Sequence, residues 1–217
     1  VDASGLAQFI VAALVHAQTL SFKFLTSWDD PSYINANPWI RGLTLENIRF
    51  AFTTPYFANY LPLHLVSYMV DYQFWGLNPV GYRLQSLFLV AINATLAFFL
   101  ARRLFGRLAL AVTAALLYAV HPAHVEAIAW MSIRKDLVST TFLLLTVILY
   151  DEATRDRFRP WVYAGSVLMY LLGLLSKVSI STLPLFLFVL DLTRRWDGPA
   201  IRWKQVITTK IPYLVFA

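Results

Sequence analysis

Apolar runs that recur along the whole chain constrain it more than any motif does. A hydrocarbon core of about 30 Å is crossed by roughly 20 residues of α-helix. The sequence offers candidate spans near Leu6–Phe24, Tyr82–Leu100, Leu108–Val120, Leu137–Tyr150, Trp161–Leu175 and Ser179–Leu192, with a further run at Val206–Ala217. Several fall short of a full crossing, so their helices must extend into neighbouring residues. Hydrophobic residues make up 59% of the chain, 16% of it is aromatic, and the mean hydropathy is +0.59. That leaves too little polar surface to cover a soluble domain of this size. The predicted fold is all-α: a polytopic membrane helical bundle of about six to seven transmembrane helices, with residues 1–217 forming one membrane domain.

Basic residues orient the bundle. Arg102, Arg103 and Arg107 share one turn, Arg155, Arg157 and Arg159 a second, and Arg194, Arg195, Arg202 and Lys204 a third. Alternating spans place all three turns on one side, which the positive-inside rule makes cytoplasmic. The formal charge of +6 therefore reports orientation, and no nucleic-acid partner is expected. The seven tryptophans fall near predicted boundaries as an aromatic belt. Cysteine is absent, which removes disulfides, thiol nucleophiles and thiolate metal sites together. No cleavable signal pattern precedes the first apolar run, and a chain opening on Val1 is expected to lack an N-terminal piece.

On the opposite side lie the long Thr26–Gly81 segment, the His121–Asp136 segment and a short turn around Lys177. The first is too long and too aromatic for a bare linker. Its "TLENIRFAF" puts Leu45, Ile48 and Phe52 on one helical face with Thr44 as N-cap, which predicts a helix lying on the membrane. "LPLHLVSYMVDYQFWG" repeats Leu61, Leu65 and Met69 at helical spacing and stops at Gly76. It reads as a second interfacial helix or as the first arm of a hairpin into the Tyr82 span.

Ionisable groups near a membrane are costly, and three outer clusters call for a reason. Asp29 and Asp30 follow the first span in "SWDDPSYI". They read either as a helix stop before Pro31 or as a pair supplying a general base. In "HPAHVEAIAWMSIRKD", His121-Pro122 predicts a helix start. His121 and His124 then lie about 60° apart while Glu126 points away, so the HxxHxE spacing does not make one metal site and none is expected. Lys135 returns to the His124 face on a continuous helix, and Arg134 and Lys135 are either outer-face charges or one wall of a site. Lys177, alone in "LLSKVSIS", is either a snorkelling anchor or a point charge for a phosphate.

Taken in order, "WDDPSYINANP", "GLTLENIRFAFTT", "NYLPLHLVSYMVDYQFWGLNPVGYRL", "HPAHVEAIAWMSIRKDLVST" and "LSKVSISTLPLFLFVLDL" resemble the membrane half of bacterial proteins that join a transmembrane domain to tetratricopeptide repeats. Those proteins are similar to the animal transmembrane and tetratricopeptide repeat O-mannosyltransferases. The likeness runs from Trp28 to about Trp196. It implies a GT-C-type glycosyltransferase that takes a hexose such as mannose from a polyprenyl-phosphate donor, without a cofactor, and passes it to a hydroxyl of a protein or glycan on the exoplasmic face. It also implies that Asp29 or Asp30 is the base, that Glu126 matches a second acidic position, and that Arg134, Lys135 and Lys177 stand where the family keeps basic residues. Leu61 and Val178 depart from the pattern, where relatives carry a polar or basic residue and a proline respectively. No repeats are present, so the sequence is expected to be the membrane half of a longer chain.

A donor with a lipid tail dissolves in the bilayer, so the expected site is the outer interface where the clusters meet. There His121, His124 and Glu126 would bind or orient substrate. Cations would stabilise the leaving phosphate, and a carboxylate in line with the anomeric carbon would take the acceptor's proton, with inversion. The preceding-proline position favours Asp30 slightly, because such residues are held extended. The alternatives are a silent membrane anchor for a repeat domain, or a transporter, whose broken mid-membrane helices are not evident. The expected location is a multi-pass protein of the bacterial inner membrane, or of the endoplasmic reticulum if the chain is eukaryotic, in contact with membrane lipid.

Overall fold

The computed structural model describes residues 3–195 and 203–217. The chain runs through α1 (Ala3–His16), α2 (Leu45–Thr53), α3 (Pro62–Trp75), α4 (Pro79–Phe105), α5 (Leu108–Val120), α6 (Ala123–Ala129), α7 (Arg134–Thr154), α8 (Pro160–Leu174), α9 (Leu183–Arg195), α10 (Trp203–Thr208) and α11 (Ile211–Phe216). Among the described residues there is no strand, only an isolated bridge between Tyr56 and Asn59. This is the all-α membrane bundle expected from the apolar runs. Among the described residues, two helical stretches are long and apolar enough to cross a membrane alone: α4, and Met131–Thr154. The pair α5 and α6, bent by 49°, is long and apolar enough to cross when the two are taken together.

The remaining predicted spans are shorter or broken, each for a local reason. The Leu6–Phe24 run leaves the α-helix at His16 and passes through a 3₁₀ turn, Ala17–Ser21, into extended backbone at Phe22. There the Arg83 guanidinium takes the Phe22 and Lys23 carbonyls as acceptors, so those carbonyls serve a buried cation and not a further helical turn. α5 stops at His121 because Pro122 has no N–H to continue the ladder. α8 covers the Trp161–Leu175 run in 15 residues, and Ser179–Leu192 divides into a 3₁₀ turn, Val178–Thr182, and α9. The run at Val206–Ala217 is not one helix: it breaks between α10 and α11 at Thr209–Lys210, with Pro212 in the next first turn.

Two helix starts also differ from expectation. His121–Asp136 is not continuous, because α6 ends at Ala129 and a 3₁₀ turn at Met131–Ile133 re-aims the chain. Lys135 therefore does not return to the His124 face; it lies in the first turn of α7, which starts before the predicted Leu137.

Successive spans alternate in direction, so α1 runs parallel to α5 and α4 parallel to α7. Near its start α1 meets the end of α4, where Thr95 Oγ1 donates to Gly5 O at 3.4 Å. At the other end of α1, His16 Nε2 bonds Ala119 O at 2.8 Å. α5 packs on α4 through Ala111, Ala115 and Ala119, all buried, a small-residue stripe that lets the two backbones close up. Asn93 ties α4 to α7 through Leu137 O at 3.0 Å and Thr141 Oγ1 at 2.7 Å. Ser166 of α8 donates to Thr146 O of α7 at 2.8 Å.

The basic turns gather at one end. Arg103 at the end of α4 pairs with Asp151 and Glu152 at the end of α7, and Arg155 donates to Arg103 O at 2.9 Å. Close by, Lys210 is buried against Tyr150, Asp191 and Thr209, which brings the α9–α11 region to the same end. Trp196 and Arg202 lie outside the described residues. Trp161 and Trp203 begin α8 and α10 with 88% and 51% of their surface exposed, as a belt requires.

At the other end the outer segment is ordered as two helices. Thr44 caps α2, its hydroxyl accepting from Asn47 N at 3.1 Å. α2 buries Asn47 and Ala51 and leaves Leu45 and Phe52 exposed. Leu61, Leu65 and Met69 are buried in the core beneath α3, so α3 is the first arm of a hairpin with α4. The turn needs Gly76, at φ 57°, and Gly81, where a Cβ would sit 2.1 Å from the Trp75 ring.

Candidate active site

The three outer segments converge, and buried polar side chains hold them together. Arg83 on α4 is fully buried and donates to Ile128 O at 3.1 Å and Ala129 O at 3.0 Å, as well as to Phe22 O at 2.9 Å. It thereby clamps the end of the first span to the end of α6. Arg134, equally buried, pairs with Asp71 of α3 and donates to Gln85 Oε1 and Tyr82 O, each at 2.6 Å, and to Ser86 Oγ at 3.1 Å. The Tyr68 ring flanks the Arg134 guanidinium 5.0 Å away, and Tyr68 Oη donates to Met131 O at 2.6 Å. Leu63 N donates to Leu175 O at 3.2 Å, joining the first outer segment to the third.

Asp29 and Asp30, adjacent in sequence, occupy different environments. Asp30 is wholly buried. Its Oδ1 accepts from Ser132 N at 3.0 Å and Ser132 Oγ at 2.6 Å, and its Oδ2 from Leu25 N at 3.2 Å. Nor is Asp30 extended before Pro31: it has φ −57° and ψ −42°, and Pro31 opens a π-helical turn, Pro31–Asn35. The geometric reason for favouring Asp30 is therefore absent. Asp29 is only half-buried.

The cations divide in the same way. Of Arg134 and Lys135, either of which is expected to face a phosphate, Arg134 has its donors taken up inside the fold and none of its surface exposed. Lys177 is partly exposed, and its Nζ lies 2.6 Å from Asp136 Oδ1 across the second and third outer segments. Lys135, between Arg134 and Asp136, is half-buried. Beside Lys177 an open recess of about 400 Å³ is lined by Asn59, Leu61, Leu174, Leu175, Val178 and Phe216. Glu126 on α6 and His121 at the end of α5 are exposed, and the His124 ring packs 4.1 Å from that of Tyr118 and 6.0 Å from that of His121. Among the described residues, no three His, Asp or Glu side chains converge as a metal-ligand set.

Sequence reasoning passed over Arg83, Asp71, His64 and Ser132. Arg83 and Asp71 carried a usable signal, since a lone charge inside an apolar run demands a buried partner. Desolvation raises the Asp71 carboxyl to about 6 despite its arginine. His64 is fully buried, with Nε2 3.1 Å from Tyr68 Oη. Burial first, then the positive charges of Arg134 and Lys135, hold its pKa well below the ordinary range and keep the ring neutral. Ser132 had no such signal, because its partner Asp30 is 102 residues away.

Comparison with known proteins identifies the family of the chain. The family described as dolichyl-phosphate-mannose-protein mannosyltransferase matches residues 54–216. Among curated proteins, the chain is 32% identical over 165 residues to protein O-mannosyl-transferase Tmtc1 of Drosophila melanogaster, covering 72% of this chain and 19% of that one. It is 29% identical over 202 residues to Tmtc2 of the same species, covering 87% and 21%, and 29% identical over 136 residues to human TMTC4, covering 56% and 18%. The chain thus spans about a fifth of the length of these relatives. No solved structure matches it. The chain belongs to the dolichyl-phosphate-mannose-protein mannosyltransferase family, a membrane-embedded group of GT-C-type glycosyltransferases.

Proposed function

We propose that the chain forms the catalytic membrane domain of an enzyme that moves mannose or a similar hexose from a polyprenyl-phosphate donor to a hydroxyl acceptor, including protein Ser or Thr, on the exoplasmic face. One observation carries this reading. The outer segments converge on a junction that holds a half-exposed carboxylate, Asp29, and two incompletely buried cations, Lys135 and Lys177, while the charges that build the junction are sealed inside. The relatives named above as protein O-mannosyl-transferases support it.

The reaction is a single displacement. The acceptor oxygen attacks the anomeric carbon as its proton passes to Asp29, and the bond from that carbon to the phosphate oxygen breaks with its electron pair on the phosphate. Lys135 and Lys177 offset the charge gathering there, the role fixed cations play best in a partly desolvated site. The apolar recess beside Lys177 takes the first part of the lipid tail. His121, at the end of α5, and Glu126, on α6, are exposed and contact substrate from the second outer segment, and the half-buried His124 supports them. Arg134 and Asp30 are positioning residues, holding the second outer segment against the first. Membrane lipid surrounds the bundle, with the basic turns cytoplasmic.

Release of polyprenyl phosphate from a labelled mannosyl donor by the purified protein tests the assignment. Turnover should fall more in Lys177→Ala than in Lys177→Arg, since charge at the phosphate matters first. Absence of donor cleavage by wild type under conditions where the protein is folded and acceptor is supplied returns the domain to the membrane-anchor reading.

A further inference from the structure

We propose that Trp28 and Trp130 form an aromatic platform on which the hexose ring of the donor stacks beside Asp29; this deepens the proposed function and rests on it. Trp28 immediately precedes Asp29, and 73% of its surface is exposed. Its ring stands edge-on to that of Trp130, with centroids 4.9 Å apart and planes at 82°. Trp130 comes from the second outer segment, two residues before the Ser132 that fixes Asp30. The two indoles therefore join the same segments as the carboxylate clamp, directly next to the candidate base.

The backbone supplies the second observation. Trp28 has φ 65°, a left-handed conformation that bulky residues avoid. Strain of this kind concentrates where function over-determines the chain. The other non-glycine residues with positive φ among those described, Phe57 and Ala58, also lie in the first outer segment. An interfacial anchor has no need of such a backbone, because Trp161 and Trp203 are exposed at ordinary helix starts.

The chemistry fits a pyranose. One face of such a ring is a row of polarised C–H groups, which the electron-rich face of an indole attracts. Glycosyl transfer also gathers positive charge at the ring oxygen and anomeric carbon, and an adjacent indole face favours a cation. The platform therefore contributes to ring binding and more strongly to the transition state.

The test measures binding of two lipids by the purified protein in nanodiscs: a short-chain polyprenyl-phosphate mannose, and the same polyprenyl phosphate without sugar. Wild type should prefer the sugar-bearing lipid, and Trp28→Ala and Trp130→Ala should each lose roughly five- to tenfold of that preference while the bare lipid binds unchanged. Trp28→Phe should keep most of it. Trp28→Gly relieves the left-handed backbone, so it should lose the preference while unfolding no more easily than wild type. Unchanged preference in both alanine variants overturns the platform and leaves the glycosyltransferase reading standing. Equal weakening for both lipids makes the tryptophans membrane anchors, which also overturns it. Wild type that binds both lipids alike refutes the platform and the donor assignment together.

Discussion

Exchanging each acid of the Asp29-Asp30 pair for asparagine separates chemistry from architecture. Asparagine keeps the size of aspartate and one carbonyl acceptor, but its second position is a donor. At residue 30 the amide oxygen can still accept from Ser132, whereas the amide nitrogen then faces Leu25 N–H, donor against donor. One charge-assisted bond is lost and a buried N–H is left unpaired, for an expected cost of about 2–4 kcal/mol. Asp30→Asn should therefore unfold at lower temperature, and its turnover should fall in proportion to the folded fraction. At residue 29 the side chain is half-buried, and the same exchange should leave stability near wild type while removing the proton acceptor. General-base catalysis typically contributes about 10²–10⁴-fold, so turnover should drop within that range with donor binding intact. The assay pairs thermal unfolding of the purified variants with release of polyprenyl phosphate from labelled donor. The reverse pattern, a stable Asp30→Asn that is inactive beside a fully active Asp29→Asn, refutes the argument from burial and makes Asp30 the base.

Other expectations follow from the same junction. Removing either partner of the buried Arg134–Asp71 pair, by Arg134→Met or Asp71→Asn, should cost about 3–5 kcal/mol, and the double variant should recover part of it; purely additive losses in thermal unfolding would show that the pair is not coupled. His64 should make stability fall as pH drops below about 6.5, because the unfolded imidazole takes up a proton that the buried one refuses. Asp71 acts in the opposite sense near pH 6, since its folded carboxyl protonates before the unfolded one does. The difference between wild type and His64→Phe isolates the histidine, and identical pH slopes would count against a neutral buried ring. Single cysteines placed at Arg102, Arg157 and Lys204 in this cysteine-free chain should resist an impermeant thiol reagent applied to intact cells; labelling from outside would reverse the topology.

Much of the bundle was legible because apolar runs report burial in lipid directly. What the runs could not report was where backbone is re-aimed. The break after Val120 follows from Pro122, visible in sequence. The early end of α1 follows from Arg83 gripping the Phe22 and Lys23 carbonyls, a contact between residues 60 and 61 positions apart. The split of the last run depends on Lys210 turning inward to Asp191 and Tyr150. The adjacent acids were legible as a candidate site, but their difference in burial was not. It depends on Ser132 reaching Asp30 across the fold, and local geometry before a proline pointed the other way.

The fate of the cations shows the same logic from the side of energetics. A guanidinium carries five donors in a fixed fork, so an arginine near the membrane is stable inside only where carbonyls and a carboxylate can engage that fork. Arg83 and Arg134 find such partners in the ends of neighbouring segments. Lysine is a compact charge on a flexible stem, and Lys177 reaches a single carboxylate at a partly exposed surface. A pair of that kind is worth only about 0–1 kcal/mol, so an arriving phosphate can take the lysine from Asp136 at little cost. The cations that bind most tightly within the fold are thus the ones least able to serve a substrate. Under the proposed function, the sequence distance between architecture and chemistry is a single residue, as Arg134 stands beside Lys135 and Asp30 beside Asp29.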